Sequence, residues 1–559
     1  MAHYGRLGRF DFRRMVDAAR RVRTEMKKIF IFDTTLRDGS QGAGISFSVE
    51  DKIKIAKALD SFGMDYIEGG WPGSNPKDEL FFARMKKTGL KHSKLTAFGS
   101  TRRKGCRADE DKNLCAIAAS GVKTACIFGK SWDLHVKTAL KTTNKENLDM
   151  ISGSIAFLKS EKMEVIYDAE HFFDGYKSNK EYALETVKTA WEAGASWICL
   201  CETNGGMLPS DINKIVSEVA DACPGMKFAV HAHNDSGCAV ANSITAVEAG
   251  CIMVQGSVNG LGERCGNANL CSIIPGLQIK KGYNCVPEKS LAALTELSRY
   301  IDEIANLVPN DAKPYVGRNA FAHKAGIHVS AIERQPETYE HVNPSLVGNE
   351  RRILVSDQAG KSNVMSKCCE MALGLDEAPE KVSEVIEIVK NKENLGYQYE
   401  DADGSFFLLT KKAVESFEPF FKLKSYRVAV EKNAAGGIVS EATVKLDVRG
   451  KEEHTVAEGD GPVNALDNCL RKALKKYYPG AEEIFLTDFK VRVINSEANT
   501  AAKVRVLIET SDSSRRWGTI GVNANIIDAS WQALSDAVEY KLVKDADKKT
   551  ENKRQKRKK

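Results

Sequence analysis

The sequence lacks long apolar segments, Cys-x-x-Cys pairs and a recognisable signal peptide. No apolar run approaches the roughly 20 residues that cross a bilayer, which argues against a membrane protein. The 14 cysteines are scattered, and several lie inside apolar runs, such as Cys126, Cys199 and Cys201. Free cysteines in such runs behave as small buried hydrophobic residues. The pattern therefore predicts a reducing compartment.

Serine is also absent from the Arg- and Lys-rich segment 6–28, which contains Asp11, Asp17 and Glu25. Transit peptides are rich in serine and poor in acidic residues, so this composition favours the cytoplasm over an organelle. The net charge is +6, and the tail 548–559 alone carries more positive charge than that excess. Such runs are usually solvated ends, so we predict a disordered tail over 546–559 and no nucleic-acid or membrane partner.

What the sequence does contain is a regular alternation of short apolar runs with longer amphipathic segments. The segment Val49–Leu59, for example, places Ile55, Ala58 and Leu59 on one helical face. Eight runs recur at a spacing of about thirty residues, as expected of βα units, and predict an α/β fold, a (β/α)₈ TIM barrel over 29–286. The runs are Ile29–Asp33, Met64–Gly70, Lys94–Phe98, Thr124–Phe128, Glu164–Ala169, Trp197–Cys201, Phe228–His233 and Ile252–Ser257.

Polar residues follow several of these runs, at the strand ends where barrel active sites lie. In the seventh run His231 and His233 are separated by one residue, so both imidazoles leave a strand on the same face and can hold a divalent metal. The alternative is a pair of ordinary hydrogen-bonded residues at a strand end. The other polar residues at strand ends are Arg37 and Asp38 after the first run, Glu170, Thr203, and the glycine-rich segment 259–267.

The second half of the chain has a different pattern, and 559 residues exceed what one core usually organises. Helical patterning predicts linker subdomains over 287–422. Two successive strand–strand–helix patterns then predict a C-terminal α+β domain over 423–545 with internal pseudo-symmetry. The predicted order is therefore a basic extension over 1–28, the barrel over 29–286, the linker subdomains, the α+β domain and the tail over 546–559.

Three stretches together resemble the 2-isopropylmalate and citramalate synthase family. They are the strand-one motif Phe32–Gly39, the pair His231 and His233, and the segment Asn259–Asn267. The turn Gly459–Val463 is similar to one in the family's allosteric dimerisation domain. The segments around Trp71 and Glu170 are most similar to the citramalate synthase branch, although Asp168 stands where some of those enzymes have tyrosine.

The resemblance implies a role for each matching residue. Asp38, His231, His233 and Asn267 would hold a divalent metal, Mg²⁺, Mn²⁺ or Zn²⁺. Arg37 would contact the keto-acid oxygen and Thr203 the keto-acid carboxylate. His328 would carry proton transfer, with Glu170 and Tyr339 in support, and His328 and Tyr339 would be inserted into the barrel of a partner subunit. The simpler alternatives are a surface ion pair for Arg37 and Asp38 and an ordinary linker histidine for His328.

The activity that the resemblance implies is a metal-dependent acyl transfer, in which acetyl-CoA condenses with pyruvate to give (R)-citramalate and CoA. The implied assembly is a homodimer, and the implied effector is isoleucine. Three alternatives remain open at this point: synthesis of 2-isopropylmalate or homocitrate, cleavage as in the acyl-CoA lyases, and a sensor without activity. The long linker and C-terminal domain favour synthesis over cleavage.

Overall fold

The computed structural model describes residues 27–355, 361–371, 373, 379–414, 417–432, 434, 436–494 and 501–558. The predicted basic extension 1–28 lies outside these residues except for its last two. The chain divides into two compact units. The barrel unit runs to Phe321 and also contains Val342–Glu350, whereas the C-terminal unit contains Ala322–His341 and Arg351–Lys559. Within the described residues, no helix combines the length and apolar character needed to cross a membrane.

Eight parallel strands close a barrel in chain order, with the last strand pairing with the first. This confirms the predicted TIM barrel, and the observed strands begin and end within two residues of the predicted runs. The strands are β1 Phe30–Asp33, β2 Tyr66–Gly70, β3 Lys94–Ser100, β4 Thr124–Lys130, β5 Glu164–Glu170, β6 Trp197–Glu202, β7 Phe228–Ala232 and β8 Met253–Gly256.

Helices surround the barrel and cover the outward faces of its strands. Ser48 is the N-cap of the first helix. Its hydroxyl accepts a hydrogen bond from the amide of Asp51, and the Asp51 carboxylate accepts one from the amide of Ser48. The helices are α1 Val49–Phe62, α2 Pro76–Thr88, α3 Lys112–Ala119, α4 Asp133–His135, α5 Asn144–Ser160, α6 Phe172–Ser178, α7 Lys180–Glu192, α8 Pro209–Ala222, α9 Ala239–Glu248, α10 Leu270–Pro275, α11 Glu288–Leu291 and α12 Leu294–Ile304.

The inward faces of the strands form a second, smaller core. Tyr66, Ile166, Ala229 and Met253 belong to it, together with the predicted buried cysteines Cys126, Cys199 and Cys201. Because side chains alternate along a strand, the residue two positions nearer the mouth also points inward. At four strands that residue is polar: Glu68, Asp168, His231 and Gln255. An apolar layer therefore supports a polar layer at the carboxyl ends of the strands.

The C-terminal unit begins with linker elements and continues with two sheets. The linker elements are β9 Ala322–His323, α13 Gly326–Arg334, β10 Arg352–Ile353, α14 Lys361–Glu370, α15 Pro379–Asn394 and α16 Asp403–Val414. The sheet elements are β11 Lys422–Lys432, β12 Ile438–Val448, β13 Lys451–Gly459, α17 Pro462–Leu474, β14 Phe485–Val493, β15 Val504–Ser511, β16 Arg516–Asn523 and α18 Ile526–Lys558.

The two halves repeat, which confirms the predicted α+β domain, but each half has three antiparallel strands rather than two. The strand pattern alone missed β13 and β16. Helix α18 also differs from expectation, since it continues to Lys558 through the segment predicted to be a disordered tail. Lys, Glu, Gln and Arg are good helix formers, so a helix already anchored by its first half can extend into a charged segment.

Candidate metal and substrate site

Three ligand atoms from distant parts of the chain meet at the mouth of the barrel. The Oδ2 atom of Asp38 lies 3.2 Å from Nε2 of His231 and 4.0 Å from Nε2 of His233. The two imidazole nitrogens lie 3.3 Å apart, and all three side chains are buried. Ligands held about 2.1 Å from one divalent ion lie about 3.0–3.4 Å from one another at tetrahedral or octahedral angles. The two separations that involve His231 fall within this range, whereas the 4.0 Å between Asp38 and His233 exceeds it, so the cluster fits a metal after a small shift of one side chain.

The charges of the cluster also suit a cation. Burial by itself would raise the pKa of Asp38, but the Arg37 guanidinium and the two imidazoles hold it well below its usual range. Burial and the neighbouring His231 lower the pKa of His233 to about 3. His233 is therefore a neutral ring with a free electron pair, and Asp38 is an anion. Both are in the protonation state that metal ligation requires.

Asn267, the fourth predicted ligand, reaches the same cluster through its amide nitrogen. Its Nδ2 atom donates to Oδ2 of Asp38 at 2.8 Å, and its Oδ1 atom is buried without a hydrogen-bond partner among the described residues. The glycine-rich segment makes this approach possible. Gly266 has a φ of 88°, and a Cβ there would lie 2.1 Å from the carbonyl oxygen of Gly260.

Gln255 fixes the orientation of His231 from the neighbouring strand. Its Nε2 atom donates to Oδ1 of Asp168 at 2.9 Å, so its Oε1 atom faces Nδ1 of His231, also at 2.9 Å. An oxygen at that position can only accept, and Nδ1 must therefore carry the proton. Nε2 is then the nitrogen that faces the cluster. Burial lowers the pKa of His231, but the hydrogen bond and the charge of Asp38 raise it above its usual value, so metal ligation requires Nε2 to release any proton that it shares with Asp38.

Arg37 lies next to the cluster and is held on three sides. Its Nε atom donates to Oε2 of Glu68 at 2.7 Å, an Nη atom lies 3.4 Å from Oδ1 of Asp38, and the guanidinium lies 3.8 Å from the ring centre of Phe98. Its side chain is 13% exposed and that of Asp38 is 6%. The alternative of a surface ion pair is therefore wrong, because both groups are inside the mouth.

An aromatic wall continues from Phe98 along the same side of the mouth. Phe98 stacks on Phe128 with a centroid distance of 5.5 Å, and the edge of Trp71 meets both rings at 5.6 and 5.8 Å. The indole nitrogen of Trp71 donates to Oδ1 of Asn113. These large side chains narrow the space beside Arg37.

Glu170 is the last residue of β5, and Thr203 directly follows β6, so both lie at the carboxyl ends of their strands. Glu170 pairs with Lys130, its register partner on β4. The Thr203 hydroxyl accepts a hydrogen bond from the amide of His171 at 2.9 Å, and its carbonyl accepts one from Arg264 at 2.7 Å. Thr203 therefore ties the end of β6 to the residue after Glu170.

His328 and Tyr339 belong to the C-terminal unit, where the structure brings the two rings together. The rings stack with a centroid distance of 4.1 Å, and both residues are exposed, Tyr339 to 45%. Their predicted insertion into a partner's barrel stays a prediction.

The sequence-based prediction missed Glu68, Gln255 and Lys130, which orient Arg37, His231 and Glu170. One signal was available for two of them. Glu68 and Gln255 are isolated polar residues near the ends of apolar runs, in the same alternating phase as the inward-facing residues Tyr66 and Met253. Lys130 lies one residue beyond its predicted run and offered no such signal.

The amino-acid sequence is similar to those of known proteins along nearly its whole length. Over 520 residues the chain is 52% identical to the (R)-citramalate synthase of Aquifex aeolicus, which covers 93% of this chain and 98% of the relative. The chain belongs to the (R)-citramalate synthase family. Another member, from Streptomyces coelicolor, is 48% identical over 92% of this chain and 96% of its own length. A probable 2-isopropylmalate synthase of Methanopyrus kandleri is 31% identical, with coverages of 87% and 93%.

Family models divide the chain in the same order as the sequence patterns do. The HMGL-like model matches residues 28–301, which contain the barrel strands and Asp38, His231, His233 and Asn267. The homocitrate synthase post-HMGL domain-like model matches 315–396. The LeuA allosteric (dimerisation) domain matches 400–542.

Proposed function

We propose that this protein condenses acetyl-CoA with pyruvate and releases (R)-citramalate and CoA. The observation that carries the proposal is the buried cluster of Asp38, His231 and His233 beside the fixed guanidinium of Arg37. Similarity to (R)-citramalate synthases over more than nine-tenths of the chain, at 52% and 48% identity, supports the choice of reaction.

The residues of the cluster fit a divalent metal in number, charge and spacing, and Mg²⁺, Mn²⁺ and Zn²⁺ all remain candidates. Asp38, His231 and His233 would hold it, and a half turn of the Asn267 amide would add an oxygen. A metal at this position supplies Lewis-acid polarisation of the keto-acid carbonyl.

Arg37 supplies a fixed positive charge where the acceptor oxygen becomes negative. Glu68 and Phe98 hold its guanidinium before substrate arrives, so little reorganisation is needed during the reaction. Burial raises the pKa of Glu68 to about 7 even with Arg37 beside it. Thr203 is proposed to orient the keto-acid carboxylate.

The bond changes require one base, one acid and one water. A base removes a proton from the acetyl methyl group, and the resulting enolate carbon forms a bond to the pyruvate carbonyl carbon. The carbonyl π bond breaks, and its oxygen takes a proton from the acid to become the product hydroxyl. Water then cleaves the thioester, so the carboxylate stays on the product and the thiol leaves as CoA. His328 of a partner subunit is proposed to carry the proton transfer. Tyr339 of the same partner and Glu170, which is held by Lys130 within the barrel, are proposed to support it.

The aromatic wall of Phe98, Phe128 and Trp71 supports pyruvate as the acceptor. Its methyl group needs less room beside Arg37 than the isopropyl group of 2-oxoisovalerate. Two methyl groups in a fitted pocket are worth a few kcal/mol, so we expect a preference of about 10² in kcat/KM.

The test is release of free thiol from acetyl-CoA with pyruvate, 2-oxoisovalerate or 2-oxoglutarate in turn, before and after chelation. We expect turnover with pyruvate, loss of turnover on chelation and recovery with a divalent ion. A preference for 2-oxoisovalerate or 2-oxoglutarate would indicate 2-isopropylmalate or homocitrate synthesis. Absence of thiol release with all three would refute the proposal and favour a lyase or a sensor.

The C-terminal unit is proposed to form a homodimer and to bind isoleucine as an end-product effector. The match to an allosteric dimerisation domain supports the dimer and an allosteric role, and the choice of isoleucine rests on the proposed reaction. The candidate binding edges precede the two helices, at Gly461 and Pro462 and at Asn523 and Asn525. Isoleucine should weaken the use of acetyl-CoA or pyruvate, and truncation near Lys422 should abolish that inhibition while the metal stays bound. Isothermal titration and activity assays with isoleucine, leucine and valine test the effector. If none of the three gives heat of binding or inhibition, the unit serves only to form the dimer.

A further inference from the structure

One peptide group at the mouth of the barrel connects the ends of three strands. It links Glu170, the last residue of β5, to His171. Its carbonyl oxygen accepts a hydrogen bond from the amide of Ser131, after β4, at 3.1 Å, and its N–H donates to Oγ1 of Thr203, after β6, at 2.9 Å. The orientation of this peptide group therefore sets the position of Thr203 relative to Glu170.

The hydrogen bond from His171 determines how the Thr203 hydroxyl can bind a substrate. A hydroxyl has one hydrogen to donate and two lone pairs that accept. The His171 amide uses one lone pair, so the hydroxyl hydrogen points away from that amide. Among the residues that the structure describes, none accepts this hydrogen. Thr203 is partly exposed and continues the alternating phase of the inward-facing Cys201, so its hydrogen is available to a carboxylate in the mouth.

His171 holds this peptide group in an uncommon backbone conformation. Its φ of 56° and ψ of 34° lie in the left-handed region, which few residues other than glycine adopt. Phe172 begins α6 immediately after it, so this one residue turns the chain from strand into helix. A conformation of this kind costs free energy and persists only where neighbouring groups hold it.

The imidazole of His171 is held by groups from three strand ends. Its Nδ1 atom lies 3.2 Å from Oδ2 of Asp174, one helical turn later, and the same oxygen accepts a hydrogen bond from Nδ2 of Asn204 at 2.9 Å. The ring of His135, on the segment after β4, lies 4.3 Å away between ring centres. The His171 side chain is only 10% exposed. These contacts fix the ring and, through it, the left-handed turn.

We propose that His171 is a positioning residue for the keto acid. Its ring holds the left-handed turn, and the turn directs its amide at Thr203. The Thr203 hydroxyl is thereby left to donate its hydrogen to the substrate carboxylate, so His171 acts through Thr203 and not on the reacting atoms. The inference rests on the proposed function, because it takes Thr203 as the residue that binds the carboxylate.

Steady-state kinetics of His171→Ala test the proposal, with pyruvate and acetyl-CoA varied in turn. Alanine has no group that holds the left-handed turn, so the amide should leave Thr203. The KM for pyruvate should then rise about tenfold or more, because a hydrogen bond to a charged group is weakened. The KM for acetyl-CoA and kcat at saturating pyruvate should stay within about threefold, since a contact made equally before and during the reaction affects binding alone.

Two further variants separate this role from a general loss of structure. Lys162→Ala is the matched control, because Lys162 also has a left-handed backbone, with a φ of 61°, but precedes β5 and so lies at the opposite end of the barrel. Its KM for pyruvate should not change. Thr203→Val should itself raise that KM, and adding His171→Ala to it should raise the KM no further, because both changes act on one hydrogen bond.

Four results would overturn the proposal: an unchanged pyruvate KM in folded His171→Ala, an equal rise in the KM of both substrates, an equal rise in Lys162→Ala, or full additivity with Thr203→Val. If His171→Ala does not fold, Asp174→Ala decides, because it frees the imidazole without changing residue 171. An unchanged pyruvate KM in Asp174→Ala would then refute the role. Absence of thiol release from the unsubstituted protein would refute the proposed function together with this inference, whereas normal turnover with unchanged KM in the variants would refute this inference alone.

Discussion

The barrel strands are more deeply buried than the first strands of the two C-terminal sheets. In the barrel, β2, β6, β7 and β8 are buried at every position, and closure leaves no strand edge. In the C-terminal unit, most positions of β11 and β14 are partly or fully exposed. The barrel therefore completes its core within one chain, and the C-terminal sheets do not.

The exposed part of β14 continues the inner face of its sheet. Phe489 packs against a core that contains Val506 and Ile508, and Val491 and Val493 follow in the same alternating phase. The last two are 42% and 52% exposed. Helix α18 covers only part of this face, so an apolar strip remains for another surface. The barrel therefore encloses its polar cluster, whereas the C-terminal unit leaves apolar side chains of β14 exposed.

The largest expected effect concerns the barrel's buried polar cluster. His233→Ala removes one of the three converging ligand atoms, so bound metal should be lost and turnover should fall by about 10³ or more. The fold should survive, because strand β7 ends before this residue. Metal analysis after gel filtration and the thiol-release assay measure both effects. His92→Ala, at an exposed position of the same unit, is the control, and a His233→Ala protein with full metal content would place the site elsewhere.

A second prediction concerns the stability cost of the barrel's buried acids. Burial raises the pKa of Glu202 from 4.5 to about 7, although the amides of Gly206 and Met207 donate to it. The folded state therefore holds this proton to higher pH than the unfolded state does. Stability should fall by about 2–3 kcal/mol as pH rises from 4.5 to 7.

Glu202→Gln should remove that part of the pH dependence, because an amide stays neutral throughout. Urea unfolding followed by tryptophan fluorescence at pH 5 and pH 8 measures the difference between the two proteins. Identical slopes with pH for the original protein and the variant would contradict the assignment.

A third prediction concerns Gln255, a member of the polar layer. Gln255→Leu removes the oxygen that selects the metal-binding tautomer of His231, without touching a ligand. Metal affinity should fall about 10- to 100-fold, as is common when a ligand's hydrogen-bond partner is lost. Competition titration with a chelating dye measures the affinity. Gln278→Leu is the control, since Gln278 bonds to Cys285 and Val286, away from the mouth. Equal metal affinity in both variants would make Gln255 a packing residue only.

The smallest effect is expected at the exposed strip of β14. Changing Val491 and Val493 together to Glu should weaken self-association about tenfold, because two carboxylates would have to be desolvated at the contact. Sedimentation equilibrium measures the change, and metal content of the barrel should stay constant. Arg492→Glu, on the opposite face of the same strand, is the control. If the double variant associates as before, the dimer uses another surface.

Much of the secondary structure of both units could be predicted from the sequence, because it depends on local periodicity. Apolar runs about thirty residues apart predicted the eight strands. The position of Asp38 after the first run and of His231 and His233 at the end of the seventh predicted a common mouth. Strand alternation also placed both imidazoles on one face. The third strand of each C-terminal half was missed, because β13 and β16 carry polar residues and lie close to turns.

What the sequence could not determine is which residues from different strands become neighbours. Gln255 meets His231, and Lys130 meets Glu170, because the closed barrel aligns them as register partners. The contact between Lys412 and Glu539 joins helices 127 residues apart in the chain. Periodicity fixes the face on which a side chain points, since that depends on backbone geometry alone. Register and packing depend on how all the elements close together, and only the tertiary structure decided them.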